Sequence, residues 1–257
     1  MEIFLPENIH KITEGLAYRI EDIGMSDSCV MIFDEMVLKA EKASVFTKRQ
    51  NTMLEWLKGK LPVPEIICDE THGEMQYTLM TRIKGEMSCA EENMLKPRET
   101  VSAIAEGLLM LQSIDIADCP MKTTFASMLD DAEAHLAKTD LSSWSGHFET
   151  AEQQLLWLKN NMPEDDFVFA HGDFCMPNIM LKNGRVSGFI DMAQCGAADR
   201  WYDIALMQQS LERNFSGFFG GRAYDGFKRE MLYDALGFKP DKDRLNFHLL
   251  LDELYSV

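Results

Sequence analysis

The stretch HGDFCMPNIMLKNGRVSGFID, residues 171–191, decides the fold of this chain. Within it, Asn178 stands five positions after Asp173. Two largely apolar segments follow, NIMLK and RVSGFID, and the Asn-Gly pair that joins them is a strong signal for a two-residue β-hairpin turn. Asp191 ends the second segment. The stretch therefore predicts a polar loop, a short hairpin and a carboxylate placed directly after the hairpin.

The interval between this aspartate and this asparagine is that of the protein-kinase catalytic loop, H-R-D-x-x-x-x-N, with Gly172 in the place of the arginine. In that pattern the aspartate orients the attacking hydroxyl and accepts its proton, while the asparagine and a later aspartate hold magnesium ions. Carboxylate and amide oxygens are ligands suited to Mg²⁺. Asp173 is therefore the predicted catalytic base. Asn178 and Asp191 are the predicted magnesium ligands, and His171 is predicted to have a structural role in the loop.

Upstream, the chain has the pattern of a small antiparallel sheet. Short apolar stretches within residues 18–39 are broken by polar turns and predict three strands, and the spacing that follows predicts a helix over 44–58. EIICD and MQYTLMTRI predict a further hairpin. Lys39 ends the third strand in VLKA, close to the kinase pattern V-A-I-K, and is predicted to contact nucleotide phosphates. The turn GMSDS, which contains Ser26, offers backbone N–H groups and a hydroxyl to anionic oxygens.

Downstream of Gly85, helical patterns dominate. Apolar residues at helical spacing predict helices over 97–114, 125–137, 149–160, 199–211, 221–236 and 241–254. No flexible Gly/Ser tract separates the two textures, so the boundary near 83–86 is predicted to be a hinge. The predicted fold class is α+β, a protein-kinase-like two-lobed fold. Its antiparallel-sheet N-terminal lobe covers 1–83, and its mainly helical C-terminal lobe covers 84–257.

The charge and composition of the chain limit the classes of partner that it is expected to bind. The formal net charge of −17 would repel nucleic-acid phosphates and anionic membranes, and it favours a small cationic ligand. Six cysteines occur without a C-x-x-C pair, and the N-terminus lacks the pattern of a signal peptide. No apolar run approaches the roughly 20 residues that span a bilayer. The sequence predicts a soluble cytoplasmic protein and leaves its oligomeric state open.

Segments along nearly the whole chain resemble one known family. EWLKGKLPVPEI, LQSIDIADCP, FVFAHGDFCMPNIML, GRVSGFIDMAQCGAADRWYDIAL and LLLDELY are similar, in order, to segments of the aminoglycoside 3'-phosphotransferases, within the kinase-like antibiotic and choline kinase superfamily. The resemblance implies transfer of the γ-phosphate of ATP, with Mg²⁺, to a hydroxyl of a small amino-bearing molecule. Aminoglycoside antibiotics are the first candidate acceptors, and GTP is left open as an alternative donor.

The same resemblance implies roles for individual residues. It makes Lys39 the phosphate lysine and Ser26 the residue of the nucleotide loop. Thr81 and Ile83 fall in the interlobe stretch that hydrogen-bonds adenine through backbone atoms. In the family's acidic substrate lobe, carboxylates hold polycationic drugs, and the matching acids here are Asp252 and Glu253.

One departure from the family pattern concerns the phosphate lysine. The helix after it usually supplies a glutamate partner, but the aligned position holds Gln50, and Glu41 or Glu55 would substitute only if the alignment is shifted. The expected consequence is a less well oriented Lys39. This leaves open a nucleotide-binding protein with little catalytic activity.

Other departures concern the acceptor. Gln194 stands where the family has an arginine, and Arg213 and Asn214 replace acids that would grip an aminoglycoside. Each lost charged hydrogen bond is worth about 1.5 to 3 kcal/mol. A kinase for a different metabolite or antibiotic is therefore the alternative within the enzyme class.

Overall fold

A five-stranded antiparallel sheet forms the first lobe of the computed structural model, which describes residues 4–21 and 28–255. Helix α1 (Glu7–Thr13) precedes the sheet, and helix α2 (Val45–Leu57) lies between its third and fourth strands. The strands are β1 (Arg19–Glu21), β2 (Cys29–Ile32), β3 (Met36–Lys42), β4 (Ile66–His72) and β5 (Met75–Thr81), in the spatial order β1-β2-β3-β5-β4.

Local sequence explains how this lobe forms. Leu38 of β3 and Leu79 of β5 face each other across the ladder and are fully buried, and Ile9 of α1 packs into the same apolar cluster. Helix α2 begins with a capping box, because Ser44 and Thr47 each accept the other's backbone N–H through the side-chain oxygen. This reciprocal cap fixes where the chain leaves the sheet.

The second lobe is mainly helical and contains two small sheets. One sheet has the order β6-β8-β9, and the other pairs β10 with β7. The elements in chain order are β6 (Glu86–Met87), α3 (Glu91–Met94), α4 (Pro97–Gln112), α5 (Phe125–Leu136), α6 (Ala151–Asn160), β7 (Phe167–Ala170), β8 (Ile179–Lys182), β9 (Arg185–Phe189), β10 (Gly196–Asp199), α7 (Arg200–Ser216), α8 (Glu230–Leu236) and α9 (Lys242–Glu253).

Helix α4 runs through the centre of this lobe. Ile104, Leu108 and Leu111 are fully buried, and the helix contacts α8, β7 and β9. Gly107 lets α4 approach β9 closely, because a Cβ there would lie 3.0 Å from the Val186 side chain. A separate apolar cluster joins α5, α6 and α9. The β8–β9 hairpin therefore rests on a rigid helical base.

A buried ion cluster ties α9 to the start of α7. Asp199 accepts the Trp201 backbone N–H at 3.0 Å and so caps α7, and it also accepts His248 Nε2 at 2.9 Å and pairs with Arg244. Burial works to raise the pKa of Asp199, but the His248 bond, its charge and the backbone N–H donors outweigh burial and lower that pKa. Helix α9 is thus held against the start of α7, the helix that follows β10.

The structure confirms the predicted fold class and corrects two helices. Helix α7 continues to residue 216, five residues beyond the predicted end, and the predicted helix over 221–236 begins only at residue 230. Gly217 ends α7 with a positive φ of 74°, and Gly226 has a φ of 92°, so the intervening segment makes turns. The lobe boundary at 83/84 stays a prediction. Among the described residues, no helix has the length and apolar character required to cross a membrane.

Candidate active site

A buried carboxylate on α7 binds the backbone of the polar loop between β7 and β8. Asp203 is 1% exposed, and its two oxygens accept the backbone N–H groups of His171 at 2.6 Å and Gly172 at 3.0 Å. Gly172 has a φ of +81°, and a Cβ there would lie 2.3 Å from the backbone oxygen of Gln194. Glycine is therefore required at this position, and the backbone at the start of the loop is restricted to one conformation.

His171 connects this loop to the end of β9. Its ring is buried, its Nδ1 accepts the Asp173 backbone N–H at 3.3 Å, and its Nε2 lies 3.0 Å from the backbone oxygen of Ile190. A ring whose Nδ1 accepts carries its proton on Nε2, which then donates to the Ile190 oxygen. Burial raises the pKa of Asp203, and the two backbone N–H donors oppose this shift.

The predicted base and one predicted metal ligand touch each other. Asn178 Nδ2 donates to the backbone oxygen and to Oδ2 of Asp173, both at 2.9 Å. Both amide hydrogens therefore have acceptors on Asp173, so Oδ1 of Asn178 is directed elsewhere. The Ile190 backbone N–H donates to the Asn178 backbone oxygen at 3.0 Å, which places Asn178 beside the residue that precedes Asp191. The structure thus brings Asp173, Asn178 and Asp191 to one place.

Asp191 is held in an unusual backbone conformation. Its φ of 61° and ψ of 57° are left-handed, a region that costs a residue with a side chain roughly 1 to 3 kcal/mol. Its carboxylate is about half exposed and lies 3.9 Å from Lys39 Nζ. Strain of this kind is found at sites where the geometry of a side chain matters more than local stability.

Lys39 has a close acidic partner, contrary to the expectation from Gln50. Its Nζ lies 3.3 Å from Glu41, and both side chains are 20% exposed. Residues two apart on a strand point to the same face, so the strand itself supplies the partner. Gln50 is 4% exposed within α2. The next residue toward the N-terminus, Arg49, donates to the Gln194 backbone oxygen at 3.4 Å.

Replacement Glu41→Gln tests the partner of Lys39. Loss of a partly buried ion pair costs about 1 kcal/mol, so we expect the KM for ATP to rise roughly fivefold with a small change in kcat. Steady-state kinetics with varied ATP measure this. Glu7→Gln, which removes an exposed pair with Lys11, is the control. An unchanged KM in Glu41→Gln would show that this carboxylate does not orient Lys39.

The predicted adenine contacts lie where the sheet ends. Thr81 closes β5, and it exchanges two bonds with Glu65, one through its N–H at 2.9 Å and one through its hydroxyl at 2.9 Å. Ile83 lies in the link to the second lobe and packs against Gly188, where a Cβ would be 2.8 Å from the isoleucine side chain. Ser26, the predicted residue of the nucleotide loop, lies outside the described residues.

The donor set at the predicted metal position fits magnesium. Asn178 offers an amide oxygen that Asp173 does not use, and Asp191 offers a partly exposed carboxylate. Mg²⁺ is usually bound through one or two protein oxygens, phosphate oxygens and water. The described residues contain no group of three or more His, Cys, Asp or Glu side chains placed to hold a metal, so a closed all-protein cage is not the arrangement here.

The two predicted acceptor residues lie at the end of α9. Glu253 accepts His147 Nδ1 at 2.6 Å and Gln154 Nε2 at 3.0 Å. Burial raises the pKa of Asp252, the charge of Arg213 lowers it, and the charge of Asp173 contributes to raising it.

Sequence reasoning missed three of these contributors. Asp203 lies in WYDIAL, a segment that resembled the family, but nothing in its spacing marked it as the acceptor for the loop. Glu41 was named only as a substitute that required a shifted alignment. His147 lies in LSSWSGHF, and no periodic signal connects it to Glu253, 106 residues away.

The two-lobed fold and this set of side chains define a kinase-like phosphotransferase. The model of the phosphotransferase enzyme family APH matches residues 18–244. An aminoglycoside 3'-phosphotransferase from Enterococcus faecalis is 36% identical over 95% of this chain and 92% of its own length, and one from Staphylococcus aureus is 32% identical with the same two shares. This chain belongs to the aminoglycoside 3'-phosphotransferase family, within that wider enzyme family.

Solved structures agree on the fold. The aminoglycoside phosphotransferase APH(3'')-Id from Streptomyces rimosus superposes with a TM-score of 0.77 and covers 95% of both chains. Its sequence identity is 20%, so the likeness concerns the fold alone.

Proposed function

We propose that this protein uses ATP and Mg²⁺ to phosphorylate a hydroxyl of a small amino-bearing molecule, with aminoglycosides as the first acceptors to test. The observation that carries the proposal is the double bond of Asn178 to Asp173, with Asp191 and Lys39 adjacent. Family membership supports the reaction class. A protein of similar fold from Streptomyces rimosus has been solved with ADP and streptomycin.

In this proposal Asp173 orients the acceptor hydroxyl and accepts its proton as the phosphoryl group is transferred. Asn178 holds Oδ2 of Asp173 through its amide, which leaves Oδ1 as the oxygen that would face the acceptor. The oxygens of Asn178 and Asp191 would hold Mg²⁺, which supplies neutralisation of developing phosphate charge when it is bound.

Lys39 would bind the α and β phosphates, and Glu41 would fix the direction of its ammonium group. The backbone atoms of Thr81 and Ile83 would bind the adenine ring, and Ser26 would contact phosphate. ATP is the proposed donor and GTP the alternative. All six cysteines are unpaired, which supports a reducing compartment, and the cytoplasm is the proposed location.

Asp252 and Glu253 would form the acidic side of the acceptor site. A phosphotransferase for another hydroxylated metabolite or antibiotic is the second candidate. Arg213 favours it, because the resemblance implies at this position an acid that would hold a polycationic drug, and the charge of Arg213 lowers the pKa of Asp252. The proposal of a nucleotide-binding protein with little activity has less support, since Glu41 gives Lys39 the partner whose absence motivated it.

An acceptor screen tests the proposed function. Purified protein is mixed with Mg²⁺, with ATP or GTP, and with kanamycin, neomycin or unrelated hydroxylated amines, and release of the nucleoside diphosphate is measured. We expect release that requires both Mg²⁺ and an acceptor. Release only with acceptors that are not aminoglycosides would support the second candidate, and no release with any acceptor would contradict both.

A further inference from the structure

The two faces of the sheet in the first lobe differ in polarity. Leu38 and Leu79 lie on one face and pack in the apolar cluster that includes Ile9 of α1. Lys39 lies on the opposite face, because successive side chains of a strand point to opposite sides of the sheet. Asp191 Oδ1 is 3.9 Å from Lys39 Nζ, so this second face, the polar face, is directed toward the predicted active site.

Two rows of three polar side chains cross the polar face from β3 through β5 to the edge strand β4. The register of the strands gives the rows, which are Lys39, Thr78 and Asp69, and then Glu41, Gln76 and Thr71. Side chains directly opposite each other in such a row have Cβ atoms about 4.5 to 5.5 Å apart. Thr78 is 2% exposed and Gln76 is 8% exposed, so the two residues of the central strand require hydrogen-bond partners within the protein.

The carboxylate of Asp69 joins the two rows. Its Oδ1 accepts the Thr78 hydroxyl at 2.9 Å and Gln76 Nε2 at 2.5 Å. Thr71 donates its hydroxyl to Gln76 Oε1 at 2.8 Å. An ionised carboxylate can only accept hydrogen bonds, so Asp69 requires a donor from both Thr78 and Gln76. The directions of the hydrogen bonds on this face are therefore fixed from the edge strand.

These directions decide what the two buried residues offer to the ion pair of Lys39 and Glu41. Thr78 donates its one hydroxyl hydrogen to Asp69, so its oxygen presents lone pairs to Lys39, the cation opposite it. Gln76 donates one amide hydrogen to Asp69 and has a second, and Glu41 is the acceptor opposite it. Each member of the ion pair thus has a cross-strand neighbour of complementary polarity.

We propose that Asp69 is a positioning residue for Lys39, an inference that rests on the proposed role of this lysine in binding nucleotide phosphates. Asp69 sets the hydrogen-bond directions of Thr78 and Gln76, and these two hold the ion pair of Lys39 and Glu41 in one arrangement. The lysine is therefore oriented from the sheet, and it does not depend on a carboxylate from α2, where Gln50 stands.

Nucleotide binding by two matched variants tests this proposal. Asp69→Asn keeps the size of the side chain, but a neutral amide oxygen accepts hydrogen bonds less strongly than a carboxylate. Binding of a non-hydrolysable ATP analogue with Mg²⁺ is measured by calorimetry, without an acceptor. We expect the dissociation constant of Asp69→Asn to rise about fivefold. Glu70→Gln removes the same charge from the next residue of β4, which pairs with Tyr77 on the apolar face, and its dissociation constant should not change.

A double variant separates positioning from general destabilisation. If Asp69 acts through the ion pair, Asp69→Asn should raise the dissociation constant by about twofold or less when Glu41→Gln is already present. A purely structural effect would weaken binding by the same factor in both backgrounds. That result, unchanged or tighter binding by Asp69→Asn, or equal weakening in Glu70→Gln would overturn the proposal. Failure of the proposed function would appear separately, as a protein that binds the analogue but shows no nucleotide turnover with any acceptor.

Discussion

Replacement of Asp173 by asparagine is expected to lower kcat by about 10²- to 10⁴-fold, the range for loss of a general base. The acceptor hydroxyl would lose the group that orients it and receives its proton. The amide has nearly the size of the carboxylate, and its oxygen can still accept the Asn178 Nδ2 bond. We therefore expect the fold, the melting temperature and the KM for ATP to change little.

The experiment compares Asp173→Asn with Asp130→Asn, a substitution at an exposed residue of α5 that removes the same charge from the surface. Initial rates with saturating ATP and acceptor give kcat, and thermal unfolding gives stability. Turnover of Asp173→Asn within threefold of the original value would mean that another group accepts the proton. A parallel loss in Asp130→Asn would point to net charge rather than to the base.

The second large effect is expected for substitution of Asp203, which is neither the predicted base nor a predicted magnesium ligand. Its two oxygens hold the His171 and Gly172 backbone N–H groups at full burial. In Asp203→Asn one oxygen becomes an NH2 group, so one buried donor faces another donor and loses its bond. Such a group costs about 1 to 3 kcal/mol, and for a chain of this size each kcal/mol lowers Tm by roughly 2 to 4 °C.

In Asp203→Asn we expect a large fall in kcat and only a moderate fall in the melting temperature. The freed loop carries Asp173, and a displacement of the base by about 1 Å can lower kcat on the order of 10²-fold. Asp166→Asn, which removes a half-exposed partner of Arg200, is the control, with both quantities expected near their original values. If Asp203→Asn keeps its original kcat, the carboxylate does not position the loop.

Much of the fold was accessible from local sequence signals. The Asn-Gly turn, the alternating strands and the apolar helical spacing predicted β8, β9 and most helices to within a few residues. The helix over 221–236 was partly wrong because its apolar residues are interrupted by Gly226, whose positive φ suits a turn. Strand β10 (Gly196–Asp199) was not predicted, because its sequence GAAD lacks strand-forming residues and it pairs with β7 through the tertiary structure.

The residues of the candidate site also fall into two groups, those that local sequence predicts and those whose roles depend on packing. Asp173, Asn178 and Asp191 were found because their spacing along the chain reflects a local loop and hairpin. Glu41 and Asp203 were missed as contributors because their roles depend on which face of β3 or α7 meets the loop. Such contacts arise from packing between elements far apart in the sequence, and no periodic pattern records them.

The fastening of α9 also bears on how genes of this family can exchange segments. His248 of α9 meets Asp199 at the start of α7, and Asp252 near the end of α9 meets Gln209 within α7. A recombination breakpoint between the two helices separates both pairs, and the hybrid protein would fold well only if its parents share these residues. A breakpoint before β10 keeps them together. Segments exchanged between relatives are therefore expected to fold best when β10 through α9 come from one parent.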